Sequence, residues 1–155
     1  MHVTKTFISV TPSEAALATA GKLQVEISGQ YPEAVPLPLE RLHVTVASFG
    51  SLKPHRPVLK TWIGREGELP APPDVSLLEE AELQKHGEKW SWAVRLQDQE
   101  AWHFWRGELL AGMGLPLVDE ERVFHLSLCN KDGSPFSSVG PAFEGGAGQG
   151  LIVSL

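Results

Sequence analysis

Apolar and polar positions change period several times along the chain, and each change marks an element. Lys5 to Val10 is β-favouring and stops at Thr11-Pro12, which predicts a first strand over 5–10. Thr11 reads as the N-cap of the next helix, with Pro12 at the first helical position and Glu14 three residues after the cap. Ala16, Ala20, Leu23 and Ile27 recur at spacings of four, three and four and line one helical face, and Gly29 reads as the stop. Three prolines over 30–40 predict a loop. Residues 41–48, RLHVTVAS, alternate and predict a second strand.

Five prolines and three glycines over 50–74 leave room only for a short helix near Val58–Ile63. Strands over 75–84 and 89–96, with Lys85-His86-Gly87-Glu88 between them, have the spacing of a hairpin with a four-residue loop. Asp98 can cap a second main helix in which Trp102, Trp105 and Leu109 share a face, ended by Gly114 and Pro116. Residues 122–129, RVFHLSLC, form another strand, closed by a turn at Asp132-Gly133. Glycines from 145 to 150 lead into a last short strand at Leu151-Ile152-Val153. A mostly antiparallel sheet with two main helices places the chain in the α+β class, and the two halves are alike: each sets a helix before a strand that contains a histidine.

Length and composition narrow the setting. With 155 residues and 42% apolar content, residues 1–155 make one domain with a sizeable core. Asp and Glu outnumber Lys and Arg by 19 to 13, so the net charge of −6 disfavours long DNA or RNA, whose backbone needs a cationic surface. A small phosphorylated ligand in a local pocket stays open. The lone Cys129 excludes an intrachain disulfide and a multi-cysteine zinc site. The N-terminus lacks a signal-peptide pattern and no run of eighteen apolar residues occurs, so no membrane partner and a cytoplasmic location are expected.

The candidate chemistry lies in two matching stretches. Leu42-His43-Val44-Thr45-Val46 and Phe124-His125-Leu126-Ser127-Leu128 both read apolar, His, apolar, hydroxyl, apolar. In a strand this puts each histidine and its hydroxyl on one face, about 6.6 Å apart. Phosphodiester transfer needs a base for the attacking hydroxyl and an acid for the departing oxygen, and two imidazoles titrating near neutrality can serve both ends. The hydroxyls can donate to the anionic phosphoryl oxygens. No metal and no cofactor are required. One His-x-Thr is a weak signal, since His2-Val3-Thr4 supplies another. Two in apolar strands, 82 positions apart in opposite halves, are a strong one.

On His43-Val44-Thr45 and His125-Leu126-Ser127 the chain resembles the two-histidine (2H) phosphoesterase superfamily, over roughly residues 5–130. The resemblance implies a bilobal α+β fold with a central cleft and metal-independent action on RNA ends, 2′,3′-cyclic phosphates or cyclic nucleotides. His43, Thr45, His125 and Ser127 would be the catalytic residues, with serine a permitted variant in the second motif. The stretch FHLSLCNKDGSPFSSVG, at 124–140, resembles small phage members, including the anti-CBASS nucleases that destroy cyclic oligonucleotide signals; a phage protein of that kind would act in the host cytoplasm. Cyclic oligonucleotides are therefore the favoured substrate. A 2′,3′-cyclic phosphodiesterase of RNA termini and a non-catalytic module that sequesters nucleotides are the alternatives.

Several side chains are candidates for holding the nucleotide. Tyr31, Phe49, Trp90, Trp92 and Phe124 offer rings on which a base could stack, and Arg95, Asn130 and Lys131 offer polar contacts. Arg41 is a further cation beside the first motif. Trp102 and Trp105 read as core, and so do Trp90 and Trp92, which share a strand face with Val94 and Leu96, while one Trp at a cleft rim stays open as a stacking platform. Cys129 shares a strand face with His125, but about 13 Å along the strand is too far for a Cys–His pair, so packing is its expected role. His55, His86 and His103 have no partner at metal-ligand spacing, and Asp119-Glu120-Glu121 reads as a solvated loop.

Overall fold

A computed structural model describes residues 7–48, 55–86, 89–117, 121–131 and 150–154. Among these residues, seven strands and three helices follow in the order β1 (Phe7–Thr11), α1 (Glu14–Gln30), β2 (Val35–Pro36), β3 (Val44–Ser48), α2 (Arg56–Trp62), β4 (Leu77–His86), β5 (Lys89–Leu96), α3 (Gln99–Met113), β6 (His125–Asn130) and β7 (Gly150–Ser154). Short 3₁₀ turns sit at Leu39–Arg41 and Glu66–Glu68. The strands form one sheet in the order β4-β5-β6-β3-β1-β7, with β2 also paired to β6. All the strand pairs described are antiparallel, so the α+β expectation holds, with the short α2 as a third helix.

The first helix starts two residues later than its capping-box spacing predicts. Thr11 pairs with Gly150 in the β1–β7 ladder and belongs to the strand, which leaves the cap to Ser13. The Ser13 hydroxyl accepts from the Ala16 N–H at 3.3 Å. The helix then runs through Gly29 to Gln30 rather than stopping at the glycine. Its predicted face is buried at Ala16, Ala20, Leu23 and Ile27. Asp98 does cap α3, accepting from the Ala101 N–H at 3.3 Å, and Gly114 closes it at φ 76°, where a side chain would be strained.

The second predicted strand is shorter than expected. Leu39–Arg41 forms a 3₁₀ turn, so β3 begins only at Val44 and His43 stands just before it. The hairpin is tighter than expected, because His86 pairs with Lys89 and two residues, not four, separate the strands. His86 is therefore a strand residue rather than a turn residue.

One buried row crosses the middle of the sheet: Val10 pairs with Val44, Val44 with Leu126 and Leu126 with Val94, all four fully buried. Trp102, Trp105, Leu109 and Leu110 from α3 and Ala20, Leu23 and Ile27 from α1 complete the same core. No described helix is long and apolar enough to cross a membrane.

Candidate functional site

The Val44–Leu126 pair is also what brings the two motifs together. In the antiparallel register that it sets, His43 stands abreast of Ser127 and Thr45 abreast of His125. Leu42, Val44, Phe124, Leu126 and Leu128 are buried on the core side, while His43, Thr45, His125 and Ser127 are half-buried on the other. The predicted alternation thus holds in both stretches. All four polar side chains share one face of two neighbouring strands.

Both imidazoles are held in the same way. His43 Nδ1 lies 3.0 Å from the Arg41 carbonyl oxygen, and His125 Nδ1 lies 2.9 Å from that of Val123, in each case two residues back. A carbonyl can only accept, so Nδ1 carries the proton in each ring and Nε2 bears the lone pair of the neutral form. Either ring can therefore offer Nε2 as a base when neutral, or as an acid when charged.

The surroundings make the two rings different. Burial lowers the His43 pKa from its ordinary value, and the hydrogen bond to Arg41 only partly opposes this. Beside His125 stands a charged pair. Arg95 is directly opposite His125 in the β5–β6 ladder, and its Nε donates to Glu82 Oε1. The Gln84 amide donates to the same Glu82 oxygen at 3.1 Å. The Arg95 hydrogen bond, the Gln84 one and the nearby positive charges of Arg95 and His125 hold the Glu82 carboxyl below its ordinary pKa.

A β-bulge follows each motif hydroxyl. Along β3, Ser9 pairs with Thr45 and Ile8 with Ala47, so Val46 is the extra residue. Along β6, Ala93 pairs with Ser127 and Trp92 with Cys129, so Leu128 is the extra residue. The second bulge corrects one expectation: Cys129 does not share the His125 face but turns to the core side with Trp92. It is fully buried, and burial raises its thiol pKa to about 11.

The stacking candidates do not gather at the histidines. Alternation along β5 puts Trp90 and Trp92 on the face opposite Ala93 and Arg95. Trp92 packs against the core there, with the ring of the exposed Tyr31 4.7 Å away, so this pair lies on the sheet face away from the imidazoles. Trp90 is 43% exposed at the sheet's end, with Lys131 Nζ 5.8 Å from its ring centre, so Lys131 also lies away from the imidazoles. Phe124 is fully buried against Trp102 and His103 and has no face for a base. Asn130 is 8% exposed and pairs with Ser91 on the histidine side of the sheet. Arg95 is thus the substrate-binding candidate that the register brings beside a motif histidine. Phe49 and most of the 124–140 stretch lie outside the described residues.

Some polar residues of the site carry no motif. Glu82 reaches the site only through the β4–β5 register, which its position in sequence does not disclose. Ser9, fully buried, is abreast of Thr45. Gln99 fixes the backbone just before His125: its amide donates to the Phe124 carbonyl and its carbonyl accepts from the Phe124 N–H, both at 2.9 Å. Gln24 and Arg106 are polar residues inside apolar helical faces, which is the signal that could have found them. Among the described residues, no three His, Cys, Asp or Glu side chains come together as a metal-holding group.

No protein-family model and no curated protein matches this sequence. Among solved structures, the chain is similar to Escherichia coli LigT complexed with ATP, with a TM-score of 0.52 and 9% identity over 98% of this chain and 95% of that one. It is also similar to E. coli LigT complexed with 3′-AMP, with a TM-score of 0.48 and 10% identity over 98% and 95%. For TT0787 of Thermus thermophilus the TM-score is 0.48, with 16% identity over 97% and 80%. The ATP complex of LigT shows the shared fold.

Proposed function

We propose that residues 1–155 act as one unit, a phosphodiesterase of small nucleotides that works by acid–base catalysis in the manner of the two-histidine phosphoesterases. The observation that carries this reading is the matched pair of imidazoles on neighbouring strands, each locked through Nδ1 with a hydroxyl two residues on. LigT, which has the same fold, is known in complexes with ATP, 3′-AMP and phosphate, and a nucleotide ligand suits this site as well.

His43 is the base and His125 the acid. Burial favours neutral His43, whose Nε2 then bears a lone pair. His125, the ring beside the Arg95–Glu82 pair, takes the remaining role of acid. With a cyclic oligonucleotide, His43 takes the proton of a ribose 2′-hydroxyl as that oxygen attacks the adjacent phosphorus. The bond from phosphorus to the 5′-oxygen breaks, and His125 protonates that oxygen as it leaves. With a 2′,3′-cyclic phosphate, water takes the place of the 2′-hydroxyl and a ribose oxygen is the leaving group. Thr45 and Ser127 donate to the non-bridging oxygens, and Arg95 supplies positive charge beside them. This scheme calls for no metal or cofactor.

Cyclic oligonucleotides are the first substrate class, on the acidic net charge and the 124–140 stretch. The second reading, a 2′,3′-cyclic phosphodiesterase of RNA termini, draws on the likeness to LigT with its mononucleotide and phosphate ligands. Incubation with cyclic di- and trinucleotides, 2′,3′-cyclic mononucleotides and RNA with 2′,3′-cyclic ends separates the two. Turnover of closed rings supports the first, and turnover of the cyclic phosphates alone supports the second. Release of every compound unaltered would leave a sequestering module.

A further inference from the structure

In each bulge that follows a motif hydroxyl, the carbonyl of the extra residue accepts from a buried side chain of a helix. Arg106 of α3 donates through Nε to the Val46 carbonyl at 2.9 Å. Gln24 of α1 donates through Nε2 to the Leu128 carbonyl at 2.9 Å and to that of Leu37 at 2.8 Å. The Leu37 N–H completes the Leu128 carbonyl at 2.8 Å. Arg106 is 1% exposed and Gln24 is 7% exposed, a poor setting for either residue type without such a partner.

The pairing is crossed. The helix that follows β1 holds the bulge of β6, and the helix that follows β5 holds the bulge of β3. A bulge decides which face a strand presents on either side of it, because a slip of one residue turns every later side chain over. Thr45 comes immediately before Val46 and Ser127 immediately before Leu128, so the two clamps act one residue from the hydroxyls and three from the histidines.

We infer that Gln24 and Arg106 are positioning residues, Gln24 for His125 and Ser127 and Arg106 for His43 and Thr45, so that each half of the fold sets the catalytic pair of the other. The inference rests on the reading of those pairs as catalytic. Neither side chain touches substrate. Each keeps a bulge in place so that the imidazole and hydroxyl meet the phosphate together, and misplacement by about 1 Å can cost 10²-fold in rate.

The test compares Gln24→Leu, Gln24→Glu, Arg106→Met and Arg106→Lys in the full chain with two readouts. The first is kcat and KM on whichever cyclic dinucleotide or 2′,3′-cyclic mononucleotide the unmodified protein turns over. The second is the NMR titration of the two imidazoles without substrate. The expected result is a fall in kcat of about 10–100-fold with KM nearly unchanged, as for loss of alignment rather than of binding. In the NMR readout, Gln24→Leu moves the His125 resonances and leaves those of His43, and Arg106→Met does the reverse. Arg106→Lys, which keeps a donor, recovers part of the loss. Folded variants whose imidazole resonances stay in place, or in which both rings move alike, would overturn the inference. Should Arg106→Met not fold, Arg106→Lys and the Gln24 variants decide by the same criterion. A protein that turns over no substrate but shows the crossed NMR response refutes the proposed function and leaves the positioning intact.

Discussion

Val44 and Leu126 pair directly across β3 and β6, and both are fully buried. This apolar step joins the β3 and β6 sides of the sheet, and His43, Thr45, His125 and Ser127 take their mutual register from it. Truncation there should be felt in stability before chemistry. Leu126→Ala is expected to lower unfolding free energy by about 2–5 kcal/mol, the usual cost of a large-to-small change in a packed core. Urea denaturation measures it, and a loss below about 1 kcal/mol would mean that the central row is not tightly packed.

His43 gives the clearest pH dependence. Because burial disfavours its charged form, the folded chain binds fewer protons at this ring than the unfolded one between the lowered pKa and the ordinary value of 6.5. This group's contribution to stability is therefore level above pH 6.5 and declines as pH falls below it. The thermal midpoint should drop more steeply as pH falls below 6.5 in the unmodified protein than in His43→Asn. The acid limb of kcat/KM, which reports the base in the free enzyme, is expected below 6.5. A limb at or above 6.5 would transfer the base role away from His43.

Glu82 and Arg95 govern the other limb. Replacing Glu82 by Gln removes a negative charge near His125 and leaves Arg95 without its anionic partner. Both changes discourage a proton on His125. The basic limb of the rate profile should move to lower pH in Glu82→Gln, with the acid limb unmoved. An unchanged basic limb would remove His125 as the acid.

Cys129 tests the alternative nucleophile. Its thiol is fully buried and its pKa is pushed up to about 11, so little thiolate forms near neutrality. Iodoacetamide at about pH 8 should leave the folded protein unmodified, and Cys129→Ala should retain turnover within about threefold, far less than the effect of losing an acid–base group. Loss of activity in a folded Cys129→Ala protein would reopen a thiol mechanism.

What the sequence discloses is the local part of this arrangement. Alternation in LHVTV and FHLSL suffices to place His43 with Thr45 and His125 with Ser127 on the half-buried side, and the apolar face of α1 can be read at its true spacing. What it conceals depends on strands far away in the chain. Thr11 is drawn into a ladder with Gly150, which moves the helix cap to Ser13. The bulge at Leu128 exists only against β5, and it turns Cys129 away from the face that regular alternation assigns to it. Phe124 and Trp92 have the chemistry of stacking platforms, yet the packing of α3 and Tyr31 claims them for the core. Glu82 and the two helix clamps have no motif, because their partners are carbonyls and charges that only the folded register brings near.

The most direct measurement is product analysis by mass spectrometry of the cyclic-nucleotide panel, in the presence of EDTA, with His43→Ala, His125→Ala and the double variant alongside the unmodified chain. Turnover is expected to survive the chelator and to fall about 10²–10⁴-fold on loss of either histidine. The double variant should fall little further, because the two rings act as a unit. Full activity in the double variant, or activity abolished by EDTA and restored by a divalent metal, would contradict this mechanism.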